Sequence, residues 1–199
     1  MAENVKNEYI EIFTKNIKRD GADKLLEWLQ TTDFFAAPAS TKFHSNYAGG
    51  LCEHSIKVYK RLKKIVADEG DRVWADKKSK QNNEESLAII GLLHDICKTD
   101  TYKTEMRNVK ENGEWVQKPY YTTDDKLPYG HGEKSVYIIS GFMKLTREEA
   151  MAINWHMGPF DARYSNSSWL LSNAYQMYPV AFLTFMADMG STYLDEEIK

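Results

Sequence analysis

Four histidines and two aspartates in this chain are of types, and in places, that could hold a metal. His94 and Asp95 close the run Gly91-Leu-Leu-His-Asp, with His54, His131, His156 and Asp188 spread around it. Five of the six lie in apolar, helix-patterned sequence, and His131 opens such a segment. Burying an ionisable group is costly unless it finds a partner. A divalent cation, or a pair of them, serves imidazole nitrogen and carboxylate oxygen together. Mn, Fe, Co, Ni, Zn and Mg are all compatible with such ligands.

A His-Asp pair alone says little, since roughly 0.3 such pairs are expected by chance in a chain of this composition. Its context says more. No charged residue stands between Leu87 and Leu93. Successive helical side chains diverge by about 100°, so both can reach one ion only past the helix end, where the chain turns at Lys98-Thr99. Asp95 has two oxygens and can bridge two ions. His54 follows Gly49-Gly50, which lets backbones approach closely. Asp188 sits in Phe185-Met-Ala-Asp-Met, where an unpaired carboxylate would be expensive. The rival reading is a set of core polar groups, each satisfied separately.

The elements that must carry these residues are mostly helical. Val5, Tyr9, Ile12, Phe13 and Ile17 form one stripe, stopped at Gly21. Leu25, Leu26, Trp28 and Leu29 mark a second, short helix. Phe34-Phe-Ala-Ala-Pro-Ala-Ser40 starts an irregular aromatic loop containing Phe43, His44 and Tyr47. His44 is read equally as a packing residue and as a substrate contact. A long helix runs from Leu51 to near Gly70, and a polar connection spans 71–83. Leu87 to Ile96 is apolar nearly all round, as in a buried helix. Tyr102, Val109, Trp115, Val116, Tyr120 and Tyr121 flank Asn112-Gly113, which predicts a β-hairpin around 101–122. Helical pattern returns at Ser135–Phe142. Thr146-Arg-Glu-Glu149 is a capping box. Asn166 or Ser167 is expected to cap a helix around Trp169–Tyr175, and Pro179 suits the first turn of the last helix. The fold class expected is all-α with one hairpin insertion. A single domain is expected over 1–199, with N-terminal helices in 1–33 and the ligand-bearing core in 34–190.

The chain has 199 residues, 42% hydrophobic and 13% aromatic, with net charge −3. A packed globule is expected. The charge argues against a broad electrostatic grip on nucleic acid or membrane, and is compatible with a small phosphorylated ligand held by a local positive site. Lys57, Lys60, Arg61, Lys63 and Lys64 read as the solvated face of one helix. Cys52 and Cys97 give no disulfide framework. No run approaches the roughly 20 apolar residues of a membrane span. The first residues lack the apolar stretch of a signal peptide, so a cytoplasmic location is expected.

Gly50-Leu-Cys-Glu-His54, Leu93-His-Asp-Ile-Cys-Lys98 and Ala187-Asp188, in this order, resemble the HD-domain superfamily of metal-dependent phosphohydrolases over about residues 34 to 190. The stretch Phe35-Ala-Ala-Pro-Ala-Ser before His44 resembles the HD domain of a bacterial 3′–5′ exoribonuclease family, without its oligonucleotide-binding domain. The resemblance implies an HD helical bundle in which His54, His94, Asp95 and Asp188 hold one metal. His131 and His156 fall where binuclear members place two further histidines. Lys98 matches a lysine that contacts phosphate, although a dipole partner at a helix end is an ordinary use of lysine. The chain departs from cyclic-dinucleotide members in having Trp155 before His156 and no GYP signature, and it has Cys97 where a small glycine is usual.

The implied chemistry is hydrolysis of a phosphate ester by a metal-activated hydroxide, with Asp95 and Lys98 as catalytic residues. Lys98, with Arg163, would neutralise charge on the phosphoryl oxygens, and Lys98, His44 and Arg163 would contact substrate. A nucleotide, cyclic nucleotide or short oligonucleotide is expected, with a phosphodiesterase or nucleotidase activity. Two alternatives use the same residues: an HD-fold di-iron oxygenase acting on a small polyol or phosphonate, and a nucleotide-sensing binding module. Glu53 and Glu133, each near a ligand candidate, could orient an imidazole. Tyr102, Tyr120, Tyr121 and Tyr129 could form a base-stacking lid, or be ordinary strand aromatics.

Overall fold

The computed structural model describes residues 2–75, 80–81 and 83–196. Its helices are α1 (Ala2–Asn16), α2 (Ala22–Thr31), α3 (Gly50–Glu69), α4 (Asn83–Leu93), α5 (His131–Ser140), α6 (Arg147–Asn154), α7 (Tyr164–Met177) and α8 (Pro179–Gly190). One antiparallel hairpin, β1 (Tyr102–Glu111) and β2 (Glu114–Thr123), is inserted between α4 and α5. The architecture is therefore an all-α bundle with a small β insertion, the fold class expected. Among the described residues no helix is long and apolar enough to cross a membrane.

Helix α4 lies at the centre because its sequence leaves it no polar face. Every residue from Ser86 to Leu93 is buried, against α1, α3 and α6. Tyr9 on α1 donates its hydroxyl to Leu92 O at 3.1 Å, and Tyr9, Phe13, Leu25 and Leu29 join the same apolar cluster as Leu62, Ile89 and Leu92. Helix α8 is also strongly apolar and packs on α3, α6 and α7.

Two glycines set how closely the ligand-bearing helices approach. A Cβ on Gly91 would lie 2.4 Å from the Tyr59 Cα, so α3 and α4 touch backbone to backbone within two turns of His54 and one of His94. A Cβ on Gly132 would lie 2.2 Å from Asn154 O. That close contact of α5 with the end of α6 brings His131 beside the turn that carries His156.

The hairpin turns through Asn112 (φ 50°) and Gly113 (φ 90°), the paired positive angles of a two-residue primed turn. Register runs from Tyr102 opposite Thr123 to Glu111 opposite Glu114. Its base is tied down by Lys134 on α5, whose Nζ meets Asp125 Oδ1 at 2.6 Å and Thr101 Oγ1 at 3.2 Å.

Four local expectations need correction or a limit. Helix α1 ends at Asn16 rather than at Gly21; Gly21, at φ 86°, instead precedes α2. In the connection after α3, Val73 and Trp74 are buried, because a 3-10 turn at Gly70–Val73 brings them into the apolar cluster that holds Leu62 and Val66 of α3. Residues 76–79 and 82 of that connection lie outside the described residues. Helix α7 begins at Tyr164, so Asn166 and Ser167 fall inside it rather than capping it. The turn held by Asp161 and Arg163 starts the helix earlier. The capping box at α6 is present, with Glu149 N donating to Thr146 Oγ1 at 3.2 Å and Thr146 N to Glu149 Oε2 at 2.7 Å.

Candidate metal centre

The α4 helix ends at Leu93, and His94 and Asp95 stand in the break before a 3-10 turn at Ile96–Lys98. Ser135 of α5 holds this break: its hydroxyl donates to His94 O at 2.6 Å and accepts from Cys97 N at 3.2 Å. Because the helix stops there, two consecutive side chains face one region. His54 arrives from α3, His131 from the start of α5, His156 from the turn after α6 and Asp188 from α8. His54, His94, Asp95, His156 and Asp188 are almost wholly buried.

Three imidazoles have their Nδ1 atoms engaged on the outside of the group. His94 Nδ1 lies 2.9 Å from Gly91 O, His156 Nδ1 2.7 Å from Ile153 O, and His54 Nδ1 2.7 Å from Glu196 Oε1. A carbonyl or carboxylate oxygen only accepts, so each Nδ1 carries a proton and directs Nε2 inward. There the Nε2 atoms meet acceptors. His54 Nε2 is 3.3 Å from His94 Nε2, 3.2 Å from Asp188 Oδ1 and 3.6 Å from Asp95 Oδ2. His94 Nε2 is 3.5 Å from Asp95 Oδ2. The other oxygen, Asp95 Oδ1, is 2.7 Å from His131 Nε2 and 3.4 Å from His156 Nε2. His156 Nε2 makes no hydrogen bond among the described residues.

The charges follow from these contacts. Burial would raise the pKa of Asp95, but Lys98, His94 and His131 hold it well below the usual carboxylate range. Burial opposes ionisation of Asp188 as well, yet His54 brings it down to about 2. Burial pushes His94 down to about 3 and keeps it neutral. His54 is drawn the other way: burial lowers it, but Asp188 and Glu196 raise it to about 9. Without a cation, a proton on His54 Nε2 serves Asp188. A metal ion takes the place of such a proton.

The residues fit a metal. Donor atoms sharing an ion through bonds of about 2.0–2.2 Å stand about 3.0–3.5 Å apart, close to the 3.2–3.6 Å found around His54 and His94. The unpartnered, buried Nε2 of His156 is what an absent ligand partner would leave. Several overlapping His/Asp groups here could hold an ion.

A cavity of about 390 Å³ opens beside these groups, lined by Asp95, His131, Asp188, Lys98 and His44 and by Phe43, Met157, Phe160 and Tyr193. Lys98 Nζ sits 2.6 Å from Asp95 Oδ2, which keeps the ammonium charged despite burial. His44 turns Nδ1 to Glu196 Oε2 at 2.8 Å. A larger depression of about 790 Å³ around Arg19, Lys144 and Arg147 contains no imidazole.

Arg163 does not join this cavity. All five of its N–H groups are engaged: by Asp161 at 2.8 and 2.6 Å, Glu133 at 2.7 Å, and Asn154 at 3.2 and 3.0 Å. Its guanidinium also lies 4.3 Å from the centre of the Trp155 ring. It clamps the turn around His156 instead of facing a ligand. Glu53 is taken by Lys57 and Tyr47 and Glu133 by Arg163, so neither orients an imidazole. The aromatic rings at the cavity are Phe43, Phe160 and Tyr193; Tyr129 stacks on Tyr137 and Tyr120 bonds Glu105. Cys97 is buried with Sγ 3.4 Å from His131 Nδ1. On α3, Lys57, Lys60, Arg61 and Lys63 pair with Glu53, Glu8, Asp195 and Glu84, as a solvated face does.

Glu196 was not anticipated. It lies in a run of acidic residues, where a carboxylate is ordinary, and it reaches His54 across 142 positions of sequence. No local pattern signals it.

Comparison with known proteins gives one match: the family model of the HD domain aligns with residues 51–188. No curated protein and no solved structure matches the chain significantly. The matched segment contains all six ligand candidates. HD domains are in general metal-dependent phosphohydrolases.

Proposed function

This chain belongs to the HD domain family, and we propose that it is a phosphohydrolase that holds two divalent ions. His54, His94, Asp188 and Asp95 Oδ2 would hold one ion, and His131, His156 and Asp95 Oδ1 the other. The observation that carries the reading is the division of Asp95: each of its oxygens faces a different pair of imidazoles. Imidazole nitrogens and carboxylate oxygens brought together in this way, in a buried place, make a ligand set that divalent cations would satisfy.

Divalent ions so held supply Lewis acidity toward a phosphoryl oxygen and a water acidic enough to act as nucleophile near neutral pH. The chain's own residues do the rest. Lys98, charged and at the cavity wall, stabilises negative charge on the phosphoryl oxygens. Asp95 positions Lys98 through their 2.6 Å contact. Phe43, Met157, Phe160 and Tyr193 exclude water and offer apolar surface to the remainder of the substrate. The volume suits a small ligand. A nucleotide, cyclic nucleotide or short oligonucleotide is the substrate class proposed, cleaved as a phosphodiester or monoester, with His44 contacting it from the loop before α3. The protein would work on a dissolved small substrate in the cytoplasm.

The test is elemental analysis of the purified protein, followed by a panel of phosphomonoesters and phosphodiesters with Mn, Fe, Co, Ni, Zn or Mg added singly. About two ions per chain and hydrolysis of a nucleotide ester are expected. Oxygen consumption by an iron form with a polyol or phosphonate, and no ester hydrolysis, would replace this reading with an oxygenase. Tight nucleotide binding without turnover by the metal-loaded protein would replace it with a sensor.

A further inference from the structure

The three inward-facing imidazoles are not held alike. His94 and His156 are fixed by carbonyls three residues back on their own segments, Gly91 O and Ile153 O. His54 has no such local partner. Its Nδ1 is held by a carboxylate from another part of the chain, Glu196, at 2.7 Å. The same carboxylate takes His44 Nδ1 on its other oxygen at 2.8 Å and accepts from the Ser45 hydroxyl. The Glu196 side chain is fully buried.

The segment that delivers it is built for this. After α8 the helix widens into a π turn at Ser191–Asp195, directly behind Asp188. Asp195 is pinned to α3 by a two-pronged contact with Arg61, Nε to Oδ2 at 2.8 Å and Nη2 to Oδ1 at 2.6 Å. Arg61 lies seven residues after His54 on the same helix. The clamp fixes the turn on α3, and the next residue reaches back to His54.

We infer that Glu196 is a positioning residue of the metal centre: it fixes the His54 ring with Nε2 inward and, through its second oxygen, ties the cavity residue His44 to that ligand. A carboxylate behind a ligating imidazole orients the ring and makes it a stronger donor. The assignment rests on the metal-centre reading above and adds a residue beyond the matched family segment.

The test uses the full chain. Metal affinity is measured by chelator competition with Mn or Zn, and the histidine tautomers of the zinc-loaded protein by ¹⁵N NMR. Glu196→Gln, nearly the same shape, is expected to lower metal affinity about 10–100-fold and to disturb the His54 tautomer while leaving those of His94 and His156 intact. Arg61→Gln, which loosens the turn without touching the centre, is expected to give a smaller loss in the same direction. Unchanged metal affinity in Glu196→Gln, in a wild-type background that binds metal, overturns the role of Glu196. Wild-type protein that takes up no divalent metal overturns the reading beneath it.

Discussion

Two places in this molecule gather charged side chains around a buried carboxylate, and they are organised in opposite ways. Around Arg19, Glu149 is wholly buried and fully matched: the guanidinium meets both its oxygens at 2.5 and 2.9 Å, Ser86 donates at 2.7 Å and Thr146 N completes the cap. Arg19 also reaches Glu85 and Lys144 O. Donors and acceptors balance there, and the group joins the segment after α1 to α4 and α6. Around Asp95, the Nε2 atoms of His94 and His156 and two carboxylates converge with His54, Lys98 and His131 as the donors at hand. Burial is common to both. What separates a structural network from a candidate site is the imbalance, which a cation would repair.

The sharpest way to break the comparison is Asp95→Ala. It removes the oxygens that face both imidazole pairs, so metal uptake and phosphoester hydrolysis should fall to background while circular dichroism stays helical. Full activity in that variant would end the site. Arg19→Ala acts on the balanced group and should do the reverse. It leaves the Glu149 carboxylate buried without its cation, at a cost of about 3–5 kcal/mol, read from urea unfolding, with metal content per folded chain unchanged. His131→Ala divides the centre itself: the His54, His94 and Asp188 half stays whole, so elemental analysis should go from two ions to one.

The balanced group also carries a pH signature. Arg19, the Thr146 amide and Ser86 hold Glu149 below the usual glutamate range against the opposing effect of burial. A depressed folded-state pKa stabilises the fold above the unfolded value, about 4.3, and that stability is lost as pH falls through the folded value. Urea midpoints taken from pH 7 to 3 should therefore drop more steeply for wild type than for an Arg19→Met/Glu149→Leu variant. Parallel curves would show that the pair contributes nothing to acid sensitivity.

What sequence made legible follows the same division. His94, Asp95 and Asp188 stood out because an ionisable residue within Leu87–Ile96 or Phe185–Met189 conflicts with its neighbours; His54 and His156 lay in apolar, helix-patterned sequence and His131 opened such a segment, and the structure does bring the six together. The hairpin was legible from Asn112-Gly113, because few other dipeptides suit two successive positive φ angles. Glu196 was not, since Asp195-Glu196 in a charged run conflicts with nothing and its partners are distant in sequence. Arg163 misled for a related reason. An arginine near His156 suggests a phosphate partner, but Asp161 two residues back and Glu133 on α5 engage it first. Sequence exposes residues at odds with their local context; it is silent about which distant partner satisfies a residue that looks ordinary.

The smallest effect belongs to the third kind of charge, the exposed pairs along α3. Lys60 meets Glu8 at 2.5 Å, with both side chains about half exposed. By distance alone this contact matches the bond between Arg19 and the buried Glu149, also 2.5 Å. Its energy should not match, because water solvates both charges in either state and ordering two long side chains offsets the attraction. Lys60→Ala is expected to change unfolding free energy by less than about 1 kcal/mol and to leave metal content and hydrolysis unaltered. A loss comparable to that of Arg19→Ala would mean that the distance between charges, and not their burial and balance, governs their worth in this protein. The contrast drawn between the two buried groups would then lose its physical basis.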